Sequence, residues 1–164
     1  MDFDKMKSLA VDYLKARETF IKRSKDFREL DGNDNIIGRI GEYIAMKYLS
    51  NSGRAVTKCS SKVNKGFDLR CGEEETISVK LITAENKSGR TTSLKQPWTE
   101  LIIITLSPEY KVDRIGHILH TNFIQVQSKY FRKQAYAHRN LLKDDGLFAL
   151  HGKLLKGPEV ENYL

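Results

Sequence analysis

Cysteine is scarce in this 164-residue chain. Cys59 and Cys71 stand alone, without the second pair of thiols or the histidine spacing that a structural zinc site requires. They read as reduced, partly buried thiols. Long apolar runs are missing too. No stretch approaches the ~20 apolar residues that a membrane-spanning helix needs. The opening MDFDKMKSLAVDYLKARETF lacks the apolar centre and small-residue cleavage site of a secretory signal. The expectation is a soluble, cytoplasmic protein. Also absent are a Ser-His-Asp or Cys-His nucleophile pattern, a glycine-rich phosphate loop, an internal repeat and a low-complexity tract. The histidines are His117, His120, His138 and His151. His117 and His120 read as opposite faces of one extended segment, which argues against a shared metal.

What the chain does have is positive charge. Lys and Arg number 28 against 21 Asp and Glu, a net charge of +7. Such an excess suits a polyanionic partner, because each neutralised phosphate releases condensed counterions, although many basic proteins bind no nucleic acid. Length and a hydrophobic content of 40% fit one globular domain over residues 1–164.

Hydrophobic spacing divides the chain. From Asp2 to Phe27, the positions of Phe3, Met6, Leu9, Ala10, Tyr13, Leu14 and Phe20 predict an amphipathic helix with a basic opposite side. LDGNDN breaks it and offers Asp34 or Asn35 as the cap of a second helix, IIGRIGEYIAMKYL, over 36–49. Asn51, Ser52 and Gly53 end that helix. The period then changes. RAVTK, GFDLRC, ETISVKLIT, ELIIITLS, RIGHILH and NFIQV read as short strands rich in β-branched and aromatic residues. A last helix is expected over about 128–138, and LFALHGKLL reads as a final strand or a loose turn. The fold class is therefore α/β (α+β), helices on a central mixed sheet in three layers, with the main core over about 36–150.

The stretch FDLRCGEEETISVK, residues 67–80, sets an acid and a lysine on neighbouring strands. Gly72 and the acids after it make a hairpin turn pairing 67–71 with 75–81, so that Asp68 comes close to Val79 or Lys80. Alternation gives Thr76, Ser78 and Lys80 one face and Ile77, Val79 and Leu81 the other. Taken alone, an Asp and a Lys so placed are an ordinary cross-strand pair. Directly after this strand, ENKSGRTTSLKQPW sets Lys87, Arg90 and Lys95 among small polar residues, where a loop can follow a phosphate backbone; a solvated loop is the plainer reading.

In their order, a helix with one acid (GRIGEYIAMKYL), a hairpin with Asp (KGFDLRC) and SVK on the next strand resemble the restriction-endonuclease-like PD-(D/E)xK nuclease superfamily. The resemblance covers roughly residues 36–127. It implies a four-stranded mixed sheet flanked by helices and magnesium-dependent hydrolysis of phosphodiester bonds in DNA. Asp68 matches the first acid and would hold the metal, joined by the Val79 carbonyl and a second carboxylate. Lys80 matches the lysine that orients water and offsets transition-state charge. Two positions depart from the pattern. Phe67 replaces a proline that binds no metal, and Ser78 stands where an acid is usual. Members with SxK take the acid from another element, and Glu42, the only acid of its helix, is the best donor. Glu85 is the second choice. Cutting both strands of a duplex would call for a homodimer, with helix 2–27 the most available interface.

Overall fold

The computed structural model describes residues 2–24, 35–59, 66–86 and 90–164. Helix α1 (Phe3–Ser24) and helix α2 (Asn35–Asn51) come first. Strands β1 (Val56–Lys58), β2 (Leu69–Cys71) and β3 (Glu75–Ile82) form an antiparallel meander. A crossover holding the short strand β4 (Arg90–Ser93) leads to β5 (Glu100–Leu106), which pairs with β3 in parallel. Strand β6 (Val112–Leu119) returns antiparallel to β5 and runs directly into helix α3 (His120–Tyr130). Strand β7 (Tyr136–His138), helix α4 (Leu147–His151) and strand β8 (Lys153–Lys156) complete the order. The result is a mixed α/β fold with a six-stranded sheet, β1-β2-β3-β5-β6-β8, and a separate ribbon of β4 and β7. Four α-helices are present among the described residues, and none is long and apolar enough to cross a membrane.

Strand alternation creates two cores. Ile77, Val79 and Leu81 of β3, with Ile102 and Ile104 of β5, pack beneath α1 and α2. Ile82, Leu101 and Ile103 point the other way, against α3, α4 and the β4–β7 ribbon. Strand β5 is buried along its whole length, as expected of a central strand covered on both faces. Helix α2 lies close to β3 at Gly41, where a Cβ would stand 2.9 Å from Leu81 Cβ. Gly38, one turn earlier, has no atom within 4 Å of its Cβ position. Gly41 falls on the stripe with Ile44 and Tyr48, and that stripe faces the sheet.

The parallel pair β3–β5 has no hairpin to fix its register. Thr76 and Thr99 supply a lock instead. Thr76 N–H donates to Thr99 Oγ1 at 2.8 Å, and the Thr99 hydroxyl donates to the Thr76 carbonyl at 3.0 Å. Thr99 N–H in turn donates to the Thr76 carbonyl at 2.8 Å.

Three expectations change. NFIQV is not a strand but the middle of α3, where Phe123 and Val126 are buried at helical spacing. The expected helix over 128–138 is instead the end of α3, a turn and β7. LFALHGKLL, expected as a final strand or a loose turn, gives the final strand β8 only in its last residues and opens with helix α4. The first helix is described as far as Ser24; the rest of its expected span, and Asp34, fall outside the described residues.

Candidate functional site

Strand β2 stops pairing with β3 before β3 ends. The ladder runs from Cys71↔Glu75 to Leu69↔Ile77, and Asp68 N–H still donates to the Ile77 carbonyl at 2.9 Å. Beyond that point the backbone of Val79 faces an open seam, and side chains replace the missing strand. Val79 N–H donates to Asp68 Oδ2 at 2.7 Å, and Lys80 Nζ donates to the Val79 carbonyl at 3.0 Å. Buried backbone groups left unpaired are costly, so the two side chains are well held.

Lys80 Nζ also donates to Ser78 Oγ at 3.1 Å and lies 3.7 Å from Asp68 Oδ2. The ammonium therefore stands among three oxygens: a carboxylate, a hydroxyl and a backbone carbonyl. Ser78 is buried, while the Lys80 and Asp68 side chains keep 19% and 31% of their surface exposed. The cluster is reachable from solvent without being on the outer surface.

Glu42 occupies a different setting. It projects from α2 beside Gly41 and forms an ion pair with Lys58 of β1. Lys58 stands opposite Leu69, one residue from Asp68, and Cys59 N–H donates to the Asp68 carbonyl at 3.0 Å. Glu42 is thus anchored at the end of β2 that carries Asp68, on the α2 face, with Lys58 rather than Lys80 as its partner. Its Oε2 is buried and takes no hydrogen bond of good geometry. Glu85 is drawn elsewhere: it accepts from Arg17 at 2.9 Å and from the Tyr110 hydroxyl. Burial raises its pKa, but bonds from Thr83 and Tyr110 and the Arg17 charge outweigh that and lower it. Lys95 is exposed, Arg90 begins β4 opposite His138, and Lys87 lies outside the described residues.

The donor set suits a hard divalent cation. Magnesium keeps several waters and takes one or two carboxylates. Asp68 and the Val79 carbonyl are donors of that type, and Glu42 would add a second carboxylate only by exchanging its ion pair with Lys58. Among the described residues no three His, Cys, Asp or Glu side chains cluster as an all-protein cage.

A second polar group went unnoticed in the sequence. Glu100, at the start of β5, is buried, and its Oε2 lies 2.6 Å from His117 Nε2. Arg54 grips it with both guanidinium nitrogens, at 2.8 and 2.6 Å, and reaches Glu75 at 2.7 Å. Tyr48 OH lies 3.1 Å from His117 Nδ1. Burial works against ionising Glu100, yet hydrogen bonds from His117 and Arg54, with their charges, hold its carboxyl at about 2. Burial, with Tyr163 and Glu100 nearby, pushes the Tyr48 hydroxyl to about 12 despite the Arg54 charge. The one sequence signal was an acid leading a strand that is apolar but for Thr105, ELIIITL. His117 and His120 part as expected, His117 toward Tyr48 and His120 toward Trp98. No family model and no curated protein matches the chain.

Proposed function

We propose that the protein is a magnesium-dependent endonuclease that hydrolyses phosphodiester bonds in DNA, with a restriction-endonuclease-like arrangement of the PD-(D/E)xK kind. The observation that carries the reading is the seam between β2 and β3, where Asp68 and Lys80 meet over the Val79 backbone. The helix acid, hairpin acid and strand lysine follow in the order of that superfamily, and the seam lies in a mixed sheet in which β3 pairs with β2 antiparallel and with β5 in parallel.

Asp68, the Val79 carbonyl and Glu42 are the residues that would hold magnesium, which supplies charge to the phosphate and lowers the pKa of water. Val79 N–H fixes Asp68 Oδ2 and with it the carboxylate plane. Lys80 is held by Ser78 and Val79, and its charge would offset the negative charge that grows on phosphorus-bound oxygens. In hydrolysis a water oxygen bonds to phosphorus, the P–O bond to the leaving oxygen breaks, and that oxygen takes up a proton. Lys80 would orient the water and steady the charge.

Ser78 favours a second reading, a DNA-binding protein of the same fold that has lost cleavage, since a serine cannot supply the usual carboxylate. Incubation of the purified protein with plasmid DNA, with and without magnesium, decides between them. Cleavage that needs the metal, and that disappears in Asp68→Ala and Lys80→Ala while DNA binding persists, is the expected result. Binding without cleavage in magnesium or manganese would leave only the second reading. In Ser78→Glu, unchanged or lost activity would mean that another carboxylate, Glu42 first, already fills the position.

A further inference from the structure

Charge in this chain is segregated in a way that composition hides. Residues 86–99 contain no acid and residues 114–143 contain none either. Together these segments hold nine Lys and Arg: Lys87, Arg90 and Lys95 in the first, Arg114, Lys129, Arg132, Lys133, Arg139 and Lys143 in the second. Removing these nine cations from the chain's 28 leaves 19 against 21 acids, a net of −2. The whole positive excess resides in two stretches far apart in sequence.

The fold brings those stretches together. Strands β4 and β7 pair, with Ser93 opposite Tyr136, and Leu94 N–H donates to the Ala135 carbonyl at 2.9 Å. Lys95 is thereby set beside the turn that carries Lys133 and Arg132. Leu94, Phe131 and Ala135 pack into the core on the Ile82 side of the sheet, the side toward which Ser78 and Lys80 alternate. The same segment leads to the candidate site. A Cβ on Gly66 would stand 2.9 Å from the Gln96 carbonyl and from Pro97 Cδ, so the backbone leading into Phe67 and Asp68 lies directly on the residues that follow Lys95.

Two of the nine cations have internal work. Arg114 pairs with Asp144 at 2.9 Å, and Arg139 donates to the Leu106 carbonyl at 3.0 Å. Lys95, Lys129, Arg132 and Lys133 differ: all four are exposed, and none is in an ion pair among the described residues. Uncompensated cations on one surface, with no acid along the backbone that carries them, fit a regular polyanion rather than a single anion.

We infer that Lys129, Arg132 and Lys133, with Lys95 beside them, form a docking face for the phosphate backbone of duplex DNA. The face lies alongside the Asp68–Lys80 seam. It rests on the reading of that seam as a DNA site, and it supplies affinity rather than chemistry, because phosphate contacts position a duplex without reading its sequence.

The test measures binding of the full chain to a fluorescent DNA duplex in EDTA, over a range of salt, so that cleavage plays no part. In the variant Lys129→Gln/Arg132→Gln/Lys133→Gln, the slope of log K against log salt should fall by about three, since each phosphate contact contributes about 0.9. The control Lys5→Gln/Lys15→Gln/Lys111→Gln removes three exposed cations from α1 and the β5–β6 turn, and its slope should change by less than about one. Arg132→Gln alone, at about one third of the effect, keeps the test decisive if the triple variant does not fold. An unchanged slope in a folded triple variant, or an equal fall in the control, overturns the docking face. So does a wild-type protein that binds phosphatidylserine vesicles but not duplex DNA. A slope that falls as expected in a protein that never cleaves would keep the face and remove the nuclease reading. Cleavage with an unaltered slope would do the reverse.

Discussion

Two acid–cation groups occupy opposite faces of one sheet, and they are built for different ends. On the α2 face, Glu100 is buried and both of its oxygens are gripped by Arg54, with His117 on one of them as well. At the β2–β3 seam, Asp68 and Lys80 stay partly exposed, stand 3.7 Å apart, and spend their bonds on the backbone of Val79. Saturation marks a group whose task is to hold the fold, whereas a cation resting among three oxygens at an opening can exchange those partners for a ligand.

The largest expected effect falls on the saturated group. Glu100→Ala strands Arg54 and His117 and should cost about 3–5 kcal/mol in urea unfolding. Acid should remove part of the same stabilisation. The folded Glu100 carboxyl is held at about 2, below the ~4.3 of an unperturbed Glu. Its contribution is therefore complete above the unfolded value and is lost as pH falls from there through about 2, a loss of roughly 3 kcal/mol. Urea midpoints recorded against pH should show this decline in the wild type and a flatter acid limb in Glu100→Gln.

Gly41→Ala comes next, at about 1–3 kcal/mol, because the new methyl meets Leu81 at 2.9 Å and pushes α2 off the sheet. Thermal unfolding would register it, and a melting point equal to wild type would show that α2 gives way freely. At the seam the order of effects should invert. Asp68→Asn keeps an acceptor for Val79 N–H, so its stability should stay within about 1 kcal/mol of wild type, while plasmid cleavage is lost. A loss of stability as large as that of Glu100→Ala would erase the contrast and make Asp68 a structural residue. The smallest effect concerns assembly: sedimentation at high concentration should show a dimer whose weakening by substitutions in α1, where Leu9 and Phe20 are exposed, leaves single-strand nicking intact.

How much of this was legible depended on the range of the interactions. Helix α2 was readable because Ile37, Ile40, Ile44 and Tyr48 repeat at the helical period, and β5 because four apolar residues run together in a strand that is buried throughout. The contact of Asp68 with the Val79–Lys80 step followed from one short hairpin. Helix α3 was misread since NFIQV, with one aromatic and two β-branched residues in five, has the composition of a strand; only the longer spacing Phe123, Val126, Tyr130 gives the helix away. The β4–β7 ribbon could not be read at all, because neither strand has a partner nearby in sequence. Glu100 was hidden for the same reason: Arg54 lies 46 residues before it and His117 lies 17 after.

The Thr76–Thr99 lock reaches further than the register it sets. Arg54 adds a second pin, since it holds Glu75 at the start of β3 and Glu100 at the start of β5 with one guanidinium. A slip of one residue between these strands would turn Ser78 and Lys80 toward α2 and send Val79 to the ribbon side. The direction in which Lys80 points is thus decided at the start of β3, four and five residues before it, by side chains that never touch it. Inheritance of this kind means that selection for the seam would act on Thr76, Thr99 and Arg54 as strongly as on Asp68. A search for the determinants of activity confined to the neighbourhood of Lys80 would pass them by.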